Sequence, residues 1–77
     1  TSAHHINAWP NPAKDRINFQ LPLNEMPLRI EVVDMLGATE HVIAEGNSIA
    51  TNQLAAGAYT ARIHTAGKVF TARFIKQ

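Results

Sequence analysis

The chain has 77 residues, 45% of them apolar, with a formal net charge of +1. That length excludes a second domain, and a fold of this size buries roughly 60% of the surface its unfolded chain exposes, enough for one thin core. The absence of cysteine excludes disulfide staples and thiolate metal sites, and the small net charge argues against bulk nucleic-acid binding. No stretch approaches the ~18 continuous apolar residues of a spanning helix, so no membrane insertion is expected. The N-terminus lacks the basic-then-apolar layout of a signal peptide, and an export signal would be expected on a larger precursor.

Residues 1–8 read as a leader or linker remnant with room for a first strand, and residues 9–77 as one domain. Pro10-Asn11-Pro12 is a stiff corner, with two fixed φ angles and Asn11 pushed away from helix by the proline after it. From Arg16 to Leu21 apolar and polar side chains alternate strictly, the mark of a strand with one buried and one wet face. Pro22 and Pro27 bracket a polar loop. The stretch from Leu28 alternates through Val32 and then becomes apolar on both faces to Met35. In Asp34-Met35-Leu36-Gly37 the spacing predicts a turn, with Asp34 bonding local N–H groups and Gly37 supplying a positive φ. Residues 40–45 read as a strand around Val42, Ile43 and Ala44, and 52–57 as a loop whose Leu54 plugs one end of the core. Residues 58–64 alternate again with Tyr59, Ala61 and Ile63 on one face; Thr65-Ala66-Gly67 makes a tight hairpin with Gly67 left-handed; and 69–75 form a last strand. Short strands separated by turns, with no long amphipathic helix, predict an all-β fold: a small Ig-like antiparallel β-sandwich of about six or seven strands.

Charge is unevenly spread. Residues 1–45 hold Lys14, Arg16 and Arg29 with all six acids, a balance of −3; residues 46–77 hold Arg62, Lys68, Arg73 and Lys76 with no acid, a balance of +4. An all-basic C-terminal part suits an acidic partner and suits ordinary solvated strand faces equally well.

Reactive constellations are scarce. There is no Gly-x-Ser-x-Gly elbow and no phosphate-cradling glycine loop; Ser2 and Ser48 fall in segments that read as exposed, and Asp15 and Asp34 flank turns, where backbone capping explains them. Of the four histidines, His4 and His5 are adjacent and would point to opposite sides of a strand, while His41 and His64 read as isolated on wet faces. Trp9, Phe19, Phe70 and Phe74 fall in alternating segments, where core packing explains them better than a sugar-binding platform. The chain is expected to be no enzyme, and to use no cofactor and no metal.

Four blocks carry a further signal. They are Trp9-Pro10-Asn11-Pro12-Ala13 with its following polar turn, Ile30-Glu31-Val32-Val33-Asp34-Met35-Leu36-Gly37, Leu54-Ala55-Ala56-Gly57-Ala58-Tyr59, and the basic closing stretch from Gly67 to Lys76. In this order they resemble the type A C-terminal sorting domain of cargo exported by the Bacteroidetes type IX secretion system. That family opens on aromatic-Pro-Asn-Pro, ends a strand in Asp-x-x-Gly, carries Leu-x-x-Gly-x-Tyr and closes on a basic strand. The chain departs from the pattern in having Trp9 where tyrosine or phenylalanine is commoner, Arg73 where lysine is more usual, and Gln77 beyond the terminal lysine.

The resemblance implies a secretion and sorting signal. Its partners would be a parent cargo protein on the N-terminal side, the outer-membrane translocon and a sortase. It would pass through the periplasm to the cell surface or medium, and a surface sortase would remove it and attach the cargo to anionic lipopolysaccharide. Trp9, Pro10, Asn11, Pro12, Asp34, Gly37, Leu54, Gly57, Tyr59 and Gly67 then have chiefly folding roles. Lys68, Arg73 and Lys76, joined by Arg62, would be read by the export machinery, with strand addition to the edge of the last strand as a candidate mode. Pairing of two copies through an edge strand is left open. The chief rival is an Ig-like adhesion or carbohydrate-binding accessory module; a small enzyme or protease inhibitor would have only the loop 23–26 to work with.

Overall fold

Period-two alternation becomes strand in most of its extent in the computed structural model, which describes residues 4–77; Gln20, Leu21 and Leu28 fall outside the strands that the pattern began. The strands are β1 (His4–His5), β2 (Ala8–Trp9), β3 (Arg16–Phe19), β4 (Arg29–Val33), β5 (Thr39–Val42), β6 (Ser48–Ala50), β7 (Gly57–Thr65) and β8 (Lys68–Lys76). Six of these have three residues or more, and β1 and β2 have two each. One sheet runs β1-β8-β7-β4-β5 and the other β2-β3-β6. Every pairing between strands is antiparallel except that of β1 with β8, which is parallel.

The two sheets close on a core that follows from the alternation. Ile17 and Phe19 of β3 and Ile49 of β6 face Ile30 of β4, Ile63 of β7 and Phe74 of β8, all almost fully buried. Each such side chain gains about 1.5–3 kcal/mol by leaving water, and a chain this short has few of them to lose. The longest pairing is the β7–β8 hairpin, in register from Gly57↔Lys76 to Thr65↔Lys68. Its turn needs Gly67, at φ +87°, and the Asp34 turn needs Gly37, at φ +88°. A Cβ at either position would meet nothing within 4 Å, so the requirement comes from the backbone angle alone.

Several expectations are corrected. The fifth strand stops at Val42, and Ile43 is 85% exposed because the chain turns away toward the Glu45–Ser48 bridge. Ser48 is buried in β6, where its hydroxyl accepts from Arg16 Nη1 and donates to the Glu45 carbonyl, both at 2.9 Å. Trp9 is half exposed: pairing with Asn18 places it on the outer face of the small sheet, opposite Ile17 and Phe19. In residues 4–8, where the sequence left room for a first strand, His4 and His5 pair with Phe70 and Thr71, and Ala8 with Phe19. Thr1, Ser2 and Ala3 lie outside the described residues, and with them the expectation for Ser2.

Candidate functional site: the outer face of the five-stranded sheet

The Pro-Asn-Pro corner and the segment before it decide what β8 can offer. The Ile6 N–H donates to the Thr71 carbonyl at 2.9 Å. Farther along, Asn11 Oδ1 accepts the Ile75 N–H at 2.9 Å, the Ala13 N–H donates to the Ile75 carbonyl at 2.7 Å, and the Gln77 N–H to the Ala13 carbonyl at 2.8 Å. Two clips thus cover the side of β8 away from β7. Strand polar groups alternate sides, so only Arg73 faces outward between them. A single open residue cannot template an added strand, and the expected edge of the last strand is not an edge; the sheet ends instead at β1 and β5.

The other motif residues hold the scaffold. Asp34 Oδ1 accepts the N–H groups of Leu36 and Ala38, each at 2.9 Å, and fixes the β4–β5 turn. Tyr59 stacks on Phe74 with ring centroids 5.6 Å apart and donates its hydroxyl to the Ala55 carbonyl at 2.6 Å. That bond ties the loop carrying Leu54, half-buried against the core, to the start of β7 at Gly57, whose φ is +154°.

The candidate recognition residues do not form one group. Lys68 and Lys76 stand at opposite ends of β8, about 26 Å apart at strand rise, and share the parity of the buried Phe70, Ala72 and Phe74. Lys68 pairs with Glu25 at 3.4 Å, and Lys76 Nζ bonds the Gln77 carbonyl at 3.0 Å. Arg73 and Arg62 lie on the opposite, outer face, where the register sets Arg73 beside Thr60 and Arg62 beside Thr71. They are diagonal neighbours and both exposed. Arg29 on β4 shares that face through its pairing with His64.

Glu31 completes the outer face, and its surroundings were missed in the sequence. His41 and His64, which read as isolated, both come to it: His64 Nε2 lies 2.7 Å from Oε1 and His41 Nε2 3.8 Å from Oε2. Since His64 Nε2 donates its proton to Glu31, it has no lone pair left for Arg29 Nη2 at 3.4 Å, which is an approach and not a bond. The His64 hydrogen bond, helped by Arg29 and His41, holds the Glu31 carboxyl below its ordinary range against the opposing pull of burial. A cross-strand pairing rule applied to strands of unknown register could not have found this contact. Among the described residues, no group of three His, Cys, Asp or Glu is placed to hold a metal.

Beside these charges the face opens into a groove of about 440 Å³ between the β4–β5 turn and the end of β8, lined by Val33, Met35, Ala58 and Ile75 with Asp34 and Arg73 at its sides. Fold and site together define a two-sheet β-sandwich that presents one uncovered, arginine-bearing sheet face. Residues 7–77 match the family model described as a secretion system C-terminal sorting domain, and the chain belongs to that family. Searches of curated proteins and of solved structures each returned no match.

Proposed function

We propose that this sandwich is the address label by which a cargo protein on its N-terminal side reaches the type IX outer-membrane translocon, after crossing the periplasm. A sortase then removes the label and joins the cargo to lipopolysaccharide, and the domain itself catalyses nothing. The observation that carries this reading is the match over residues 7–77. It is supported by the structural work its motifs do: the Pro-Asn-Pro corner clips β8, Asp34 and Gly37 make the β4–β5 turn, and Tyr59 anchors β7.

With both sides of β8 occupied, the machinery would read a folded surface and not an unpaired strand. The test is surface delivery of a folded reporter carrying residues 1–77 at its C-terminus, in a strain with a working translocon and in one without. Translocon-dependent delivery is expected, with loss of the domain and a lipopolysaccharide-sized shift of the reporter. Retention of the intact fusion in the periplasm would overturn the reading.

A further inference from the structure

We propose that the export machinery grips this domain on the outer face of the five-stranded sheet, and that what it brings there is an acidic segment of protein carrying one apolar side chain. The inference rests on the sorting reading and adds the place and the chemistry of contact. The apolar side chain enters the groove between Met35 and Ile75, and neighbouring carboxylates pair with Arg73 and Arg62.

Three observations converge. First, the face is uncovered: the second sheet packs on the opposite side, leaving Met35 81% and Ile75 51% exposed at the groove. Large apolar side chains clustered on a small domain at this cost in water contact mark an interaction surface. Second, two cations of this face have no ion-pair partner. Arg16 pairs with Glu45, Lys68 with Glu25, and Arg29 helps hold the Glu31 carboxylate, whereas among the described residues Arg62 and Arg73 form no ion pair. Third, the carboxylates nearby are already committed, Glu31 to His64 and Asp34 to two backbone N–H groups. The face therefore presents unanswered positive charge beside unanswered apolar surface.

Arginine forks suit carboxylates bidentately, and a groove of this lining suits an aliphatic or aromatic side chain. A polyanion would satisfy the arginines and leave the groove wet. An apolar-anchored acidic peptide answers both.

The test uses the full reporter fusion. In one arm Arg62→Glu with Arg73→Glu, and separately Met35→Glu, are compared with Lys14→Glu, with melting temperatures confirming that each domain folds. Surface delivery is expected to fall about tenfold or more for the outer-face variants, the scale set when interfacial charge pairs turn repulsive, and to persist for the Lys14→Glu control. In a second arm Arg73→Lys keeps the charge and supplies an amine, so a zero-length carbodiimide should join residue 73 to an aspartate or glutamate of a translocon protein. Arg73→Ala should give no such product. If the unaltered fusion is not delivered, the sorting reading falls and this inference with it. If it is delivered and the outer-face variants are delivered equally well, the sorting reading stands and the outer face is overturned. Loss of delivery without any carboxylate coupling from the Arg73→Lys variant would overturn the acidic-protein partner.

Discussion

Asn11 and Ile75 are 64 residues apart in sequence and joined by one hydrogen bond, from the Ile75 N–H to Asn11 Oδ1 at 2.9 Å. The bond makes the first corner of the domain a brace on its last strand. Asn11→Ala leaves an N–H of β8 without that acceptor. The expected loss is about 0.5–1.5 kcal/mol, read as a lower urea midpoint with an unchanged m-value.

Tyr59 separates two contributions in one side chain. Tyr59→Phe keeps the ring on Phe74 and removes only the hydroxyl bond to Ala55. A loss of about 0.5–1.5 kcal/mol is expected, and Tyr59→Ala should cost clearly more because the stacked ring goes as well. Equal losses in the two variants would show the ring contact to be worthless.

Glycine at 37 and 67 is needed for angle and not for space. Alanine at either should cost about 1 kcal/mol or slightly more, while asparagine, which tolerates the left-handed region, should cost less than alanine. Thermal melts of the four single variants decide it; a reversed order would point to a contact formed elsewhere.

The Glu31–His64 contact sets a pH dependence with a definite sign. Glu31 titrates below 4.5 in the fold, chiefly through its hydrogen bond to His64. A carboxyl with a depressed folded pKa contributes stability that is fully present above its unfolded pKa, about 4.5, and is lost as pH falls through the folded value. Glu31→Gln should therefore be less stable than the parent at neutral pH and lose less on acidification, so that the two stabilities converge as the pH falls through the folded Glu31 value. Glu25, held low by the Thr65 hydroxyl and Lys68, should behave with the same sign.

Most of the fold was legible because alternation reports burial directly: Ile17, Phe19, Ile30, Val32, Ala61, Ile63, Phe70 and Phe74 are all buried where the pattern placed them. The failures have a common cause in pairing partners that a single strand does not reveal. Trp9 lies outside because Asn18 is its neighbour across the ladder, and His64 meets Glu31 because β4 and β7 adopt one register. β6 was invisible since three residues, Ser48, Ile49 and Ala50, are too short to establish a period, although Ile49 is fully buried. The basic residues were found as a set, but strand parity splits the set: it sends Arg62 and Arg73 to one side of the sheet and Lys68 and Lys76 to the other.

The clips on β8 also decide the order in which the domain would come undone if hauled from its cargo side. Tension arriving at His4 meets two residue pairs and the Ile6 bond first, then the β2–β3 pairs at Ala8 and Trp9 with the Asn11 and Ala13 bonds, and later the β3–β6 pairs and the nine-pair hairpin of β7 and β8. Release is thus graded, with a weak seam outside a strong one, and local opening should follow the same sequence without any pull. Amide exchange at Ile6 and Ala13 should outrun exchange at Ile63. β8 would then be laid bare along one side while the sandwich beneath it still stands.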